Sequence, residues 1–238
     1  MIKYQLKFIG YPLIKNVDHL VNTYITLTPW HKYHICDQYK LSPQKVQVIG
    51  NGLPNHLALF KGETKKIPGK FIWISDCHRG LMELVKNFHQ VLKIIPNAHI
   101  DVYRSLPKEM DSIKSLSFVN IKGYMENDRI IDALQQAEYW FYPTKWCETF
   151  CISALEAQYT RCICIVSDLA GLTDTVADRG ILLKSRIYSE EYWQEAYRSI
   201  KNLESNPILK EQLKDKAYLW AIKQVWKEKV KFWHNLFI

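Results

Sequence analysis

From residue 70 onward the apolar positions follow two alternating rhythms. Phe71–Ser75 (FIWIS), His99–Tyr103, Phe118–Ile121, Tyr139–Tyr142 (YWFY), Cys162–Val166 and Gly180–Leu183 are apolar runs too short for helices and rich in β-branched and aromatic residues. Each predicts a strand. After the first run, Leu81, Leu84, Val85, Phe88, Val91, Leu92 and Ile95 recur at helical spacing and form one stripe, stopped by Pro96-Asn97. A helix capped by Asn127 or Asp128 and reaching about Ala137 separates the third and fourth runs, and one near Phe150–Tyr159 separates the fourth and fifth. Strands without polar alternation are buried on both faces, as in a parallel sheet. Right-handed crossovers then give an α/β, doubly wound, Rossmann-like domain with its ligand at the carboxyl ends of the strands.

The flanks read differently. Val21–Leu27 is a short β-rich segment, Thr28-Pro29 starts a helix running to about Tyr39, and Val46–Ile49 is a strand closed by Gly50-Asn51-Gly52-Leu53-Pro54. Residues 55–69 are polar, carry Gly62, Pro68 and Gly69, and read as a linker. Past Glu190 the chain is helical, with Tyr192, Trp193, Ala196, Tyr197, Ile200 and Leu203 on one stripe. Pro207 starts a second helical stretch reaching Phe237. The organisation is therefore a short αβ unit over 1–54, a linker over 55–69, the Rossmann-like domain over 70–205 and a C-terminal helix over 206–238.

Composition narrows the class of protein. With 47 % hydrophobic and 24 % charged residues among 238, the chain is globular rather than disordered. No apolar stretch is long enough to cross a membrane, and the N-terminus lacks the pattern of a signal peptide, which predicts a cytoplasmic protein with its six cysteines reduced. The formal charge of +8 suits nucleic acid, an anionic membrane surface or a phosphorylated small molecule alike. The absence of any block of five consecutive basic residues argues against a nucleic-acid-binding tail.

Candidate chemistry centres on two carboxylates. Glu148 and Glu156 stand eight positions apart across a strand-to-helix turn, so both can face one cleft. There they suit the paired hydroxyls of a ribose or sugar, and the amides of the helix N-terminus suit a phosphate. Taken alone, the two residues fit equally well, and more commonly, a first-turn helix charge and a solvated glutamate. His31, His34 and Cys36, and Cys147 with Cys151, lack the paired spacing of a zinc site. No Gly-x-Gly-x-x-Gly follows the first strand, and no Gly-x-Ser-x-Gly is present, which excludes the usual fingerprints of a dinucleotide enzyme and a hydrolase.

The segment YPTKWCETFCISALEAQYTRCICIVSDLAGLTDTV resembles the hallmark stretch of retaining GT-B glycosyltransferases of the group 1 type: Pro143-Thr144, Glu148, Glu156-Ala157, the strand CICIV and Gly171-Leu172 fall in the family's order. The likeness extends to FIWISDCHRGLMELVKNFHQVLKIIPNAHIDVY and VNIKGYMENDRIIDALQQAEYWFYP, and upstream to the Asn-Gly segment before Pro54, covering roughly residues 17–238. The resemblance implies the C-terminal, nucleotide-sugar-binding half of a GT-B fold, with residues 1–54 as a remnant of the acceptor-binding domain, most of which is absent.

It also implies roles. Glu156 grips the ribose hydroxyls, Glu148 contacts the donor sugar and Arg79 faces the diphosphate, with Lys86 two turns on as a second candidate. Gly123 and Tyr124 pack the base, Thr149 and Phe150 flank the glutamate, and the Gly171 and Leu172 amides approach the sugar or phosphate. The implied reaction is glycosyl transfer from a UDP- or GDP-sugar, retaining and without a bound metal or other cofactor. Arg79 and helix-end amides would stabilise the charge that develops on the diphosphate.

The chain departs from the family at three places. Cys151 and Arg161 stand where glycine is usual, which predicts either a narrowed approach or a shifted backbone, and Trp73-Ile74-Ser75 replaces a Gly-Arg pair at the end of the first strand, where one phosphate contact is then expected to be missing. A separate acceptor-domain chain, or self-association through the aromatic C-terminal helix (Trp226, Trp233, Phe237), would complete such a half-molecule. A non-catalytic sugar-nucleotide binder or scaffold is the alternative.

Overall fold

The computed structural model describes residues 14, 16–54 and 65–237, and the side chains of 127, 128 and 237 lie outside that description. Residues 1–13, and 55–64 of the expected linker, are likewise outside it. The centre of the molecule is a six-stranded parallel sheet: β3 (Ile67–Trp73), β4 (His99–Val102), β5 (Val119–Ile121), β6 (Ala137–Tyr142), β7 (Ile163–Ser167) and β8 (Ile181–Leu183), in spatial order β5-β4-β3-β6-β7-β8. This is the doubly wound α/β order expected, and it reverses between β3 and β6, leaving a crevice at their carboxyl ends.

All six residues of β6 and all five of β7 are buried, which explains their uninterrupted apolar run. The helix α2 (Leu81–Ile94) buries Leu81, Leu84, Val85, Phe88 and Val91 against the sheet, as their spacing predicts. Phe71 stacks on Tyr139 across the two central strands, with ring centroids 4.8 Å apart. The short strands thus gain their stability from a shared aromatic core rather than from their own length.

β3 begins at Ile67, inside the segment read as linker. Its pairing with β6 shifts register between Ile67 and Phe71, and the Gly69 amide donates to Glu138 Oε2 at 2.9 Å instead of continuing the ladder. Pro68-Gly69 therefore marks an irregularity within a central strand, a use of these residues that a turn signal does not distinguish from a linker. Below it, Lys70 Nζ pairs with Asp101 Oδ2 at 3.0 Å, both side chains only 5 % exposed.

The N-terminal unit is a parallel pair, β1 (Tyr24–Thr26) and β2 (Val46–Val48), joined by helix α1 (Pro29–Tyr39), with Thr28 as its N-cap accepting from the His31 amide. It docks on the main sheet through specific bonds. Thr28 Oγ1 donates to the Thr149 carbonyl at 3.0 Å, and the Trp30 amide donates to Asp174 Oδ2 at 2.7 Å.

Helix α3 (Asn127–Gln136) follows β5, with Glu126 as its N-cap, one residue before the expected cap. Helix α4 (Ile152–Tyr159) follows the Glu148 loop, and α5 (Gly171–Val176) is a short helix where a loop was expected. Helix α6 (Glu190–Ser205) is capped by Ser189. The last helical stretch is not continuous: α7 (Pro207–Ala221) and α8 (Trp226–Phe237) are separated at Ile222–Val225. Leu53 causes the break, because its amide donates to the Gln224 carbonyl at 2.7 Å and its carbonyl accepts from the Trp226 amide at 3.0 Å. The Trp226 amide has one hydrogen to give, so it cannot also donate to Ile222 in a continuous helix. Among the described residues no helix is long and apolar enough to cross a membrane.

Candidate functional site

A cleft of about 460 Å³ opens at the carboxyl ends of the central strands, bounded by Ser75, Asp76 and Arg79 after β3, Arg104 after β4, the segment Glu148–Ser153 after β6, and Asn51 from the N-terminal side. It lies at the strand-order reversal, where open α/β sheets bind ligands.

Local sequence builds each wall. After β3, the Asp76 carboxylate accepts from the His78 amide at 2.8 Å and starts a tight turn, Cys77–Arg79, that brings Arg79 to the cleft. Gly80 closes the turn with φ +123°, and a Cβ there would meet the Pro143 carbonyl oxygen at 2.3 Å, so only glycine lets the two central strand ends lie side by side. After β6, the Trp146 amide donates to Thr144 Oγ1 and the Glu148 amide to the Trp146 carbonyl, both at 3.0 Å, folding Pro143–Glu148 into a compact loop.

Glu148 is only 15 % exposed at its side chain, and its Oε1 accepts from Arg79 Nη1 at 2.9 Å and from the Tyr142 hydroxyl at 3.0 Å. Two donors offset the cost of burying that charge. The Arg79 guanidinium also lies 4.5 Å from the centre of the Trp146 ring, a cation–π contact that orients it. Burial, and then the Glu148 charge, push the Tyr142 hydroxyl well above the usual phenol range, so it remains a donor. Burial likewise keeps the Cys151 thiol protonated, which makes it a cleft wall and not a nucleophile.

Glu156 sits one turn beyond Ser153 on α4, partly buried behind the cleft lining. Among the described residues no donor bonds its carboxylate, and burial pushes its pKa up to about 7 against the opposing pull of Arg104. A partly buried carboxylate that no protein donor holds keeps its hydrogen-bonding capacity open, as a ligand-binding group does.

The other expected residues divide. Thr149 and Phe150 line the cleft. Gly171 approaches it from behind: its amide donates to the Glu148 carbonyl at 2.8 Å, and a Cβ there would meet the Thr149 carbonyl at 2.6 Å. Leu172 is fully buried and its amide donates to the Leu169 carbonyl. Both amides are thus committed within the chain instead of meeting a ligand, and the one from Gly171 positions the Glu148 loop. Lys86 stands on the solvent face of α2, outside the cleft lining. Gly123 has φ +78° in the loop after the edge strand β5, and Tyr124 beside it is 67 % exposed; neither lines the cleft.

Arg104 and Asn51 are cleft residues that motif reading did not single out as contacts. The signal for Arg104 was a lone cation directly after a buried strand, at the end of the sheet where ligands bind. Cys151 and Arg161 keep positive φ, +73° and +62°. Of the two outcomes expected there, the backbone shift does not occur: the conformation is the one glycine favours.

The chain superposes on the pneumococcal O-GlcNAc transferase GtfA in complex with UDP and GlcNAc (TM-score 0.76, 19 % identity), covering 95 % of this chain and 46 % of that one. It superposes similarly on the GtfA/B complex (TM-score 0.75, 16 % identity, 95 % of this chain and 47 % of that one). It also superposes on Anabaena Alr3699/HepE in complex with UDP (TM-score 0.75, 15 % identity, 95 % and 67 %). The chain spans about half the length of the first two. These likenesses show the fold, the C-terminal half of the GT-B architecture. No curated protein matches the sequence. Residues 77–220, more than half of the chain and the whole stretch from the Arg79 turn through the Glu148 loop to α7, match the family described as glycosyl transferases group 1, and the chain belongs to that family.

Proposed function

We propose that this chain is the donor-binding half of a glycosyltransferase that takes a sugar from a nucleoside diphosphate sugar, UDP- or GDP-linked, and passes it to an acceptor held by a second domain or chain. The observation that carries the reading is Glu156: a partly buried carboxylate with no donor among the described residues, one helix turn behind a cleft that also holds Glu148 and two arginines. A ribose diol supplies the two donors such a group lacks. Glu148, fixed on one oxygen by Arg79 and Tyr142, offers its other oxygen to a sugar hydroxyl. Arg79, next to it, meets the charge that builds on the departing diphosphate.

Transfer breaks the bond between the anomeric carbon and the diphosphate and forms one to an acceptor oxygen, whose proton is lost. We read it as retaining and metal-independent, with no further cofactor. UDP is present in two of the three neighbours named above, which supports a uridine donor without deciding the base. The GtfA/B neighbour is a complex of two partners, which supports completion of the site by another chain. The exposed apolar residues of α8, Trp226, Val230 and Phe232, support self-association as the other route. The scaffold alternative gains nothing from Cys151 and Arg161, since both hold the backbone conformation that glycine would.

Thermal unfolding with UDP, GDP, ADP and their sugar conjugates tests the reading. A ligand at about 100 times its dissociation constant adds about 2.7 kcal/mol, a rise of several degrees. One nucleotide series is expected to give that rise in the wild type and to lose it in Glu156→Ala. No rise with any nucleotide overturns the assignment.

A further inference from the structure

Among the described residues, Arg104 is the cleft cation without an ion-pair partner. It follows β4 directly, lines the cleft and is partly buried. Its Nε donates to the Ile74 carbonyl at 2.8 Å, which fixes the guanidinium plane against the end of β3. Ile74 itself turns its side chain into the core and offers the cleft only that carbonyl. Among the described residues no carboxylate lies within ion-pair distance of Arg104 and its terminal nitrogens make no hydrogen bond, whereas Arg79 is held by Glu148. Its charge reaches Glu156, on the helix that follows the Glu148 loop, and opposes the effect of burial there. A guanidinium held by one nitrogen, with a fork of two others free, is shaped for a planar or tetrahedral oxyanion.

We propose that Arg104 is a further donor-binding residue, whose terminal nitrogens hold a phosphate oxygen of the nucleoside diphosphate on the ribose side of the cleft and set the preference for diphosphate over uncharged nucleoside. This rests on the donor-site reading above. It divides the electrostatic work between two strand ends. Arg104 at β4 is pre-positioned and unpaired, and Arg79 at β3 is coupled to the sugar-facing carboxylate.

The test is calorimetric or NMR titration of the wild type, Arg104→Gln and Arg104→Lys with UDP, GDP and ADP and with uridine, guanosine and adenosine. For the base that binds, Arg104→Gln is expected to weaken the diphosphate by about ten- to hundred-fold while the nucleoside stays within about two-fold of wild type. Arg104→Lys is expected to recover part of the loss, because the charge remains and the anchored fork does not. A diphosphate affinity within about two-fold of wild type in Arg104→Gln overturns the proposal and leaves the donor site standing. An equal loss for nucleoside and diphosphate also overturns it, since that is the mark of a structural role. Should Arg104→Gln fail to fold, Arg104→Lys decides: a diphosphate-selective loss supports the proposal, and wild-type affinity overturns it. A wild type that binds none of the nucleotides removes the donor-site reading and this assignment together.

Discussion

Glu156 and Glu148 carry the same side chain into the same region and meet opposite environments. Glu148 has two donors on one oxygen, while Glu156 has none among the described residues and burial pushes its pKa up to about 7. The folded protein therefore keeps a proton on Glu156 that the unfolded chain releases between the ordinary glutamate range and about pH 7, so stability falls as pH rises through that window. Glu156→Gln removes this dependence. Denaturant titrations should find the variant equal to wild type near pH 4 and more stable by on the order of 2 kcal/mol near pH 8. Ribose hydroxyls that bond the carboxylate favour its charged form, so donor binding should expel a proton near neutrality. Calorimetry in buffers of different ionisation enthalpy reads that proton directly. Glu148→Gln should act on the chemistry instead, lowering transfer by about 100-fold or more with little change in nucleoside diphosphate affinity, as steady-state kinetics beside titration would show.

At the scale of elements, the site is two strand ends held together. Gly80 lets the turn after β3 lie against Pro143 at the end of β6, and Gly171 lets α5 lie against Thr149. Gly80→Ala pairs a positive φ with a 2.3 Å clash against backbone, and should cost about 2–4 kcal/mol in denaturant unfolding and abolish nucleotide binding even where the fold survives. The turn after α4 shows why glycine is not obligatory at every such position. Arg161 holds φ +62° because the Cys162 amide donates to the Ala157 carbonyl at 2.8 Å, and its guanidinium pairs with Asp215 at 2.6 Å and Glu211 at 3.3 Å on α7. Tertiary contacts offset a backbone strain of about 1 kcal/mol. Arg161→Gly is accordingly expected to change stability by less than about 1 kcal/mol, relief of strain cancelling the lost pairs, as thermal unfolding will measure.

For the whole molecule, the reversal of strand order between β3 and β6 sets where the cleft opens, and the N-terminal unit closes one side of it with Asn51. The bond from Thr28 to Thr149 ties that unit to the Glu148 loop, and the one from Trp30 to Asp174 ties it to α5 behind that loop, so disturbing the unit disturbs the site. Asp174→Ala strands the Trp30 amide and should lower stability by about 1–3 kcal/mol and weaken donor binding in parallel, measured by thermal unfolding with and without nucleotide. Transfer by the completed enzyme should be unchanged by a chelator. Loss of turnover on chelation, restored by a divalent cation, would remove the metal-independent mechanism.

The chain order of strands and helices, the buried face of α2 and the Glu148-to-Glu156 spacing were legible in the sequence, because each is written in local periodicity and in residues close along the chain. The same was true of the family resemblance, which the match over residues 77–220 bears out. Tertiary structure alone decided the rest. The start of β3 inside a Pro-Gly segment, the break before α8 imposed by Leu53, and the commitment of the Gly171 amide depend on partners distant in sequence. So does the difference between Arg79, paired with a carboxylate 69 residues away, and Arg104, held among the described residues through the Ile74 carbonyl. Local sequence sets which conformations are cheap, but the state of a charge depends on what the fold brings within a few ångströms of it.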